Sequence, residues 1–210
     1  MAHQQDLRDR FRSTIAHLHR INTAIHANTA GRGRVFTYAD HHKLAEGIFM
    51  SAWTDWEEFI KALLLADVAT TPGTCLTNEV RQFRTRGAHW RLADLIINHP
   101  DSPESFVPWD YDMVKDRANR FLPNGHRFVA LAVSGEIKKM KTIRNAVAHG
   151  SDKAWHSFRK MVKAAPFNFT SGQMRFLTVG RFLVATNWNG SKALTTALNT
   201  LDTAARQLVP

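Results

Sequence analysis

The sequence predicts an all-α protein: an up-and-down helical bundle with inserted helices and a small β-hairpin near its C-terminal end. Three observations point there. Apolar side chains recur at three- and four-residue steps along most of the chain, the period of one helix face. Between these runs stand Ala30-Gly31-Arg32-Gly33-Arg34, Thr71-Pro72-Gly73, Pro123-Asn124-Gly125 and Pro166, where glycine and proline interrupt helices. The composition, 44% apolar and 22% charged with six Trp and 13 Phe, supplies bulky core material and falls in the ordinary globular range.

Taken in order, residues 5–28 read as a first helix, with Phe11, Ile15, Leu18, Ile21 (or Asn22) and Ile25 on one face. Thr37 can cap a long second helix, with Asp40 in the first turn, where negative charge suits the helix dipole. Its apolar face runs Leu44, Ile48, Ala52, Trp56, Phe59 and Leu63, and Pro72-Gly73 end it. A third helix is expected over Thr77–Asn98, weakened by Gly87, followed by an ordered connection through Pro100, Pro103 and Pro108. A shorter helix covers Asp110–Phe121, and another runs from about His126 to His149. Gly150 sits where a left-handed C-cap belongs, and Ser151 or Asp152 can cap the next helix, Lys153–Ala164. Met174–Trp188, broken by Gly180, reads as a small hairpin or irregular arm. Ser191 can then cap a last helix through Leu194, Leu198, Leu201 and Leu208.

A chain of 210 residues suffices for one helical domain, here with an insert at about 71–125 and a C-terminal arm at about 166–210. No internal repeat is visible.

The net charge of +10, from 28 Lys and Arg against 18 Asp and Glu, favours polyanionic partners, of which nucleic acid is the commonest. The basic residues spread along the chain instead of clustering as a membrane anchor would. Cys75 is the only cysteine, which excludes an intrachain disulfide and a thiolate metal cage. His41-His42 are adjacent on a helix, about 100° apart, and cannot easily chelate together. The first residues, MAHQQDLRDR, lack the apolar stretch of a secretory signal. The run Phe59–Val68 is interrupted by Lys61 and Asp67 and is too short to span a bilayer. A cytoplasmic protein is expected.

The chemistry concentrates in Glu136–Gly150. Val133, Ile137, Met140 and Val147 mark an apolar stripe, and the position that completes it is Arg144. A guanidinium on a core-facing row is costly unless it is paired or opens into a cleft. Asn145 and His149, four apart, share the adjacent face. His149 falls in the last turn, where the carbonyl end of the helix welcomes a cation, and histidine is the side chain that exchanges protons near neutral pH. Lys138, Lys141 and Thr142 lie on or near the same side.

This set fits RNA cleavage by the RNA's own 2′-hydroxyl. A base removes the hydroxyl proton, the oxygen attacks phosphorus, and an acid protonates the leaving 5′-oxygen. His149 would move a proton, Arg144 would meet the charge building on the phosphoryl oxygens, and Asn145 would orient His149 or hold a phosphate oxygen. The reaction needs no metal and no cofactor. Since one helix supplies a single Arg and a single His, a twofold homodimer would bring an acid and a base into one cleft.

Arg144-Asn145-Ala146-Val147-Ala148-His149-Gly150 resembles the signature of HEPN domains, an Arg followed after four to six residues by His, often with a polar residue after the Arg. Ser51–Leu63, with Trp53, Trp56 and Phe59, is similar to the early helix of stand-alone prokaryotic HEPN proteins. The bare spacing recurs at Arg12–His17, Arg20–His26, Arg84–His89 and Arg120–His126. Asn after Arg, small residues between, and Gly after His set the Arg144 match apart. The resemblance implies an all-α fold, a dimer, and RNA cleavage in toxin, anti-phage or RNA-processing settings, with a cognate antitoxin or other defence protein as partner. One departure stands out: members that work with nucleotidyltransferases often carry Tyr two residues after the His, and here Ser151 stands there.

The resulting expectation is a metal-independent endoribonuclease with Arg144, His149 and Asn145 as catalytic residues and Lys138, Lys141, Arg84 and Arg86 on the RNA path. The alternative is an inactive HEPN module that binds RNA or a protein partner. A helical reader of duplex DNA is more remote, since no recognition-helix signature supports it.

Overall fold

The computed structural model describes residues 2–29, 34–70 and 109–210. The expected helix Thr77–Asn98, the proline-rich connection after it and Cys75 lie outside the described residues. Among those described, the chain is all-α with one two-stranded antiparallel hairpin. The elements are α1 (Ala2–Thr29), α2 (Tyr38–Thr70), α3 (Tyr111–Phe121), α4 (Ser134–His149), α5 (Asp152–Lys163), α6 (Ser171–Met174), α7 (Val179–Ala185), β1 (Asn187–Trp188), β2 (Ser191–Lys192) and α8 (Ala193–Leu208). No described helix is long and apolar enough to cross a membrane.

Two compact units emerge. The first comprises Met1–Phe11, Trp56–Leu131 and Arg206–Pro210, as far as these are described. Its core is built on aromatic rings: Phe11 stacks on Phe59 at 5.1 Å and meets Trp56 at 5.9 Å. Asp110 caps α3 by accepting from the backbone N–H groups of Asp112 and Met113. The Tyr111 hydroxyl donates to the Phe128 carbonyl at 2.9 Å. Arg127 pairs with the buried Asp67 at 2.9 Å and donates to the Leu208 carbonyl at 2.6 Å.

These contacts correct one expectation. The helix foreseen from about His126 begins only at Ser134, and the residues before it form turns. Burial of Phe128 and Leu131, together with the Arg127 bonds, outweighs local helix propensity there.

The second unit comprises Arg12–Asp55 and Ala132–Ala205. Thr37 caps α2 reciprocally: its Oγ1 accepts from the Asp40 N–H, and the Asp40 carboxylate accepts from the Thr37 N–H at 2.9 Å. Leu44, expected on the buried face of α2, is 37% exposed; Ala45 and Phe49 are buried beside Ile48 and Ala52. Phe158, Phe167, Phe182 and Trp188 form an edge-to-face cluster at 5.0–5.5 Å.

The hairpin lies later than expected. Residues 174–188 contain the end of α6, all of α7 and β1, and the hairpin pairs Asn187 with Lys192 and Trp188 with Ser191. Gly180 does not mark a turn. A Cβ there would lie 2.4 Å from the His42 carbonyl oxygen, so glycine lets α7 approach α2. The hairpin turn is Asn189-Gly190, both with positive φ, a pair suited to a two-residue turn. Ser191 consequently sits in β2 and does not cap α8.

Candidate active site

Helix α4 carries the Arg-Asn-His segment and packs along α5 and, more lightly, α7. Gly150 ends α4 in the left-handed region at φ 53°. Ser151 then starts α5, its hydroxyl accepting from the Ala154 N–H. This sharp helix-to-helix join exposes His149 on the last turn of α4.

Arg144 departs from its expected position. The buried row of α4 is Ile137, Met140, Ile143 and Ala146, while Val133 and Val147 are only half-buried. A three-residue step falls about 60° short of a full turn. The row therefore winds around the helix and has moved off Arg144 by the last turns. Arg144 flanks the core, half-buried, so its charge is not placed wholly inside.

Its guanidinium links the other two residues. Nη1 lies 3.1 Å from His149 Nε2 and 3.3 Å from Asn145 Oδ1. A guanidinium has donors only, so Nε2 must accept. That assigns a neutral imidazole with its proton on Nδ1 and its Nε2 lone pair directed at the cation. Asn145 thus holds Arg144, which in turn meets His149. Arg144 Nε is sealed from solvent and has no hydrogen-bond partner among the described residues. Both of these bonds run to neutral acceptors. An incoming phosphate oxygen would offer a charge-assisted replacement, roughly twice as strong as a neutral bond.

Lys138 is exposed and Lys141 half-buried on α4. Arg84 and Arg86 lie outside the described residues. A basic face that the sequence reading passed over belongs to α5. Lys153, His156, Lys160 and Lys163, at three- and four-residue steps, are exposed opposite the buried Phe158 and Val162, with Arg159 beside them. The spacing was legible, since Lys-Ala-Trp-His-Ser-Phe-Arg-Lys-Met-Val-Lys alternates cationic and apolar faces at helical period. Among the described residues, no group of three His, Cys, Asp or Glu is placed to hold a metal ion.

No protein-family model, curated protein or solved structure matches the chain.

Proposed function

We propose that the protein is a HEPN-type endoribonuclease that cleaves RNA by 2′-hydroxyl attack at a composite site formed in a homodimer. The observation that carries this reading is the 3.1 Å contact of Arg144 Nη1 with His149 Nε2 at an exposed helix end. It supplies a cation and a neutral base on one short segment, and the helix that follows, α5, carries an exposed basic face.

Cleavage would proceed in this order. The scissile phosphate draws the Arg144 guanidinium away from His149 and is clamped by it. The released Nε2 takes the 2′-hydroxyl proton, and the 2′-oxygen attacks phosphorus while Arg144 offsets the charge on the equatorial oxygens. As the P–O5′ bond breaks, the second subunit's His149, released from its own Arg144 in the same way and protonated from solvent, protonates the leaving oxygen. The products are a 2′,3′-cyclic phosphate and a 5′-hydroxyl. In this scheme phosphate binding itself uncovers the base. A cytoplasmic toxin or anti-phage effector, restrained by a cognate inhibitor, is the setting the HEPN resemblance implies.

Incubation of RNA with excess EDTA tests the reading. Wild type should cut, and Arg144→Ala and His149→Ala should each lose about a hundredfold or more. Undiminished cutting by both variants removes the site, and cutting only with added metal contradicts the mechanism.

A second reading draws on the same contact. Nε2 is occupied and Arg144 Nε is sealed. A protein that never releases that bond would be a silent module binding RNA or a partner protein. It would bind without yielding product and keep its affinity on His149→Ala.

A further inference from the structure

Between the end of α5 and β1 the second unit presents aromatic rings and cations that the cleavage chemistry does not use. A cavity of 340 Å³ is lined by Phe167, Phe169, Gln173, Arg181, Thr186 and Asn187 among others, and none of its lining residues is acidic. Phe167 is held edge-on by Phe182 at 5.0 Å and Trp188 at 5.5 Å, yet both Phe167 and Phe169 stay half-exposed. Gln173 Oε1 accepts from the Thr170 N–H and hydroxyl, which fixes the amide and leaves its NH2 as the remaining polar face.

Next to the lining residue Leu177 in the chain stands Phe176, 68% exposed, with the Arg175 guanidinium 5.5 Å from its ring centre. Arg181 Nη1 donates to the Phe176 carbonyl at 3.3 Å, which ties the cation lining the cavity to the backbone that carries the exposed ring. A single exposed Phe is ordinary. A ring backed by one guanidinium, on a residue whose carbonyl binds a second guanidinium that lines an aromatic slot with no acidic residue, is a different arrangement. Apolar burial alone would favour a protein groove. The guanidinium groups favour an anionic partner with flat faces.

We infer that this slot and the Phe176 ring form a stacking platform for unpaired bases of single-stranded RNA, with Arg175 and Arg181 meeting the flanking phosphates. Single strands are bound in this way, by aromatic faces for successive bases and cations for the backbone. The inference rests on the proposed function for its choice of RNA and adds how the substrate is gripped. It predicts a preference for single strands, because a duplex keeps its bases stacked on one another.

The test measures equilibrium binding of a 12-nucleotide single-stranded RNA carrying 2-aminopurine, whose fluorescence falls on stacking. His149→Ala protein serves as the non-cleaving parent. Phe176→Ala and Phe169→Ala should each weaken binding about tenfold and remove part of the quenching. Phe176→Trp should keep both, and Arg181→Gln should flatten the salt dependence by about 0.7 in log–log slope. The ring of Phe176 is exposed, so Phe176→Ala should melt like the parent; it decides the matter should Phe169→Ala fail to fold. Unchanged affinity and quenching in Phe176→Ala, or equal binding of a fully paired RNA, overturns the platform. Loss of binding in these variants without any RNA cleavage by wild type leaves the platform standing and removes the nuclease reading. Arg144- and His149-dependent cleavage with unaltered binding in the variants does the reverse.

Discussion

Arg144 makes two hydrogen bonds to neutral acceptors through one nitrogen and keeps a third donor, Nε, sealed without a partner among the described residues. Such a group is held without being satisfied, the state that the proposed mechanism asks of a side chain exchanging its partners for phosphate. Arg144→Lys should therefore fail to rescue, because an ammonium cannot span two phosphoryl oxygens. Single-turnover cleavage should fall about a hundredfold, and near-wild-type cutting would show that only the charge matters. Asn145→Ala removes one of the two restraints on the guanidinium and should cost less than Arg144→Lys in the same assay; an equal or larger loss would mean that Asn145 touches substrate. The three residues were legible from sequence because helical spacing alone brings positions 144, 145 and 149 to one helix end. What the spacing misjudged was the buried row. Ile143 and Arg144 are neighbours, and only the packing of α4 along α5 decides which of them faces inward.

Among the elements, three glycines separate three physical causes. Gly47, inside α2, would meet nothing within 4 Å on gaining a Cβ, so Gly47→Ala should stabilise the fold by about 0.5–1 kcal/mol. Gly150 needs its positive φ to turn α4 into α5, and Gly150→Ala should cost about 1 kcal/mol. At Gly180 the added Cβ collides with the His42 backbone, which cannot swing aside as a side-chain tip would. Gly180→Ala should cost about 1–3 kcal/mol, an overpacking penalty. Urea unfolding of the three variants checks the ranking, and a Gly180→Ala protein as stable as Gly47→Ala would refute the close approach of α7 to α2. Helices with steady periodicity, such as α1, or with clear caps, such as α2, α3 and α5, could be read from the chain. The region 174–192 could not, because Gly180 serves a tertiary contact there. The local turn signal, Asn189-Gly190, lies beyond the segment whose alternation suggested strands.

For the whole molecule, charge and buried histidines set the response to pH. His41, 3% exposed, is held below its ordinary value of 6.5 by burial and by the nearby His26 and His42. Burial also lowers His42, reinforced by Arg181, and lowers His126 against the pull of Asp67. Above pH 6.5 these imidazoles are mostly neutral in folded and unfolded chains alike. As pH falls the unfolded chain takes up protons first, so the stability they contribute is lost from about pH 6.5 downward through the folded values. Asp67 has the opposite sign: burial raises its carboxyl above 3.8 despite Arg127 and Gln4. It protonates earlier in the folded state and offsets part of the loss at lower pH. The melting temperature should be lower at pH 5.5 than at pH 7.5, and His41→Leu should reduce that difference; a higher value at pH 5.5 would refute this account. At this scale the sequence announced the excess of cations, +10 in net charge. Composition could not locate them, and the exposed face of α5 needed the helix to be placed against its neighbours.

In the proposed mechanism an imidazole and a guanidinium on one helix end direct the RNA's own 2′-oxygen at phosphorus. Its most direct test is the chemistry of the cut ends, made in excess EDTA on RNA and on the same strand with 2′-deoxyribose at the cleavage position. The account predicts 2′,3′-cyclic phosphate and 5′-hydroxyl termini from RNA, no cut at the deoxy position, and neither product from His149→Ala. Termini bearing 5′-phosphate, or cleavage at the deoxy position, would contradict it.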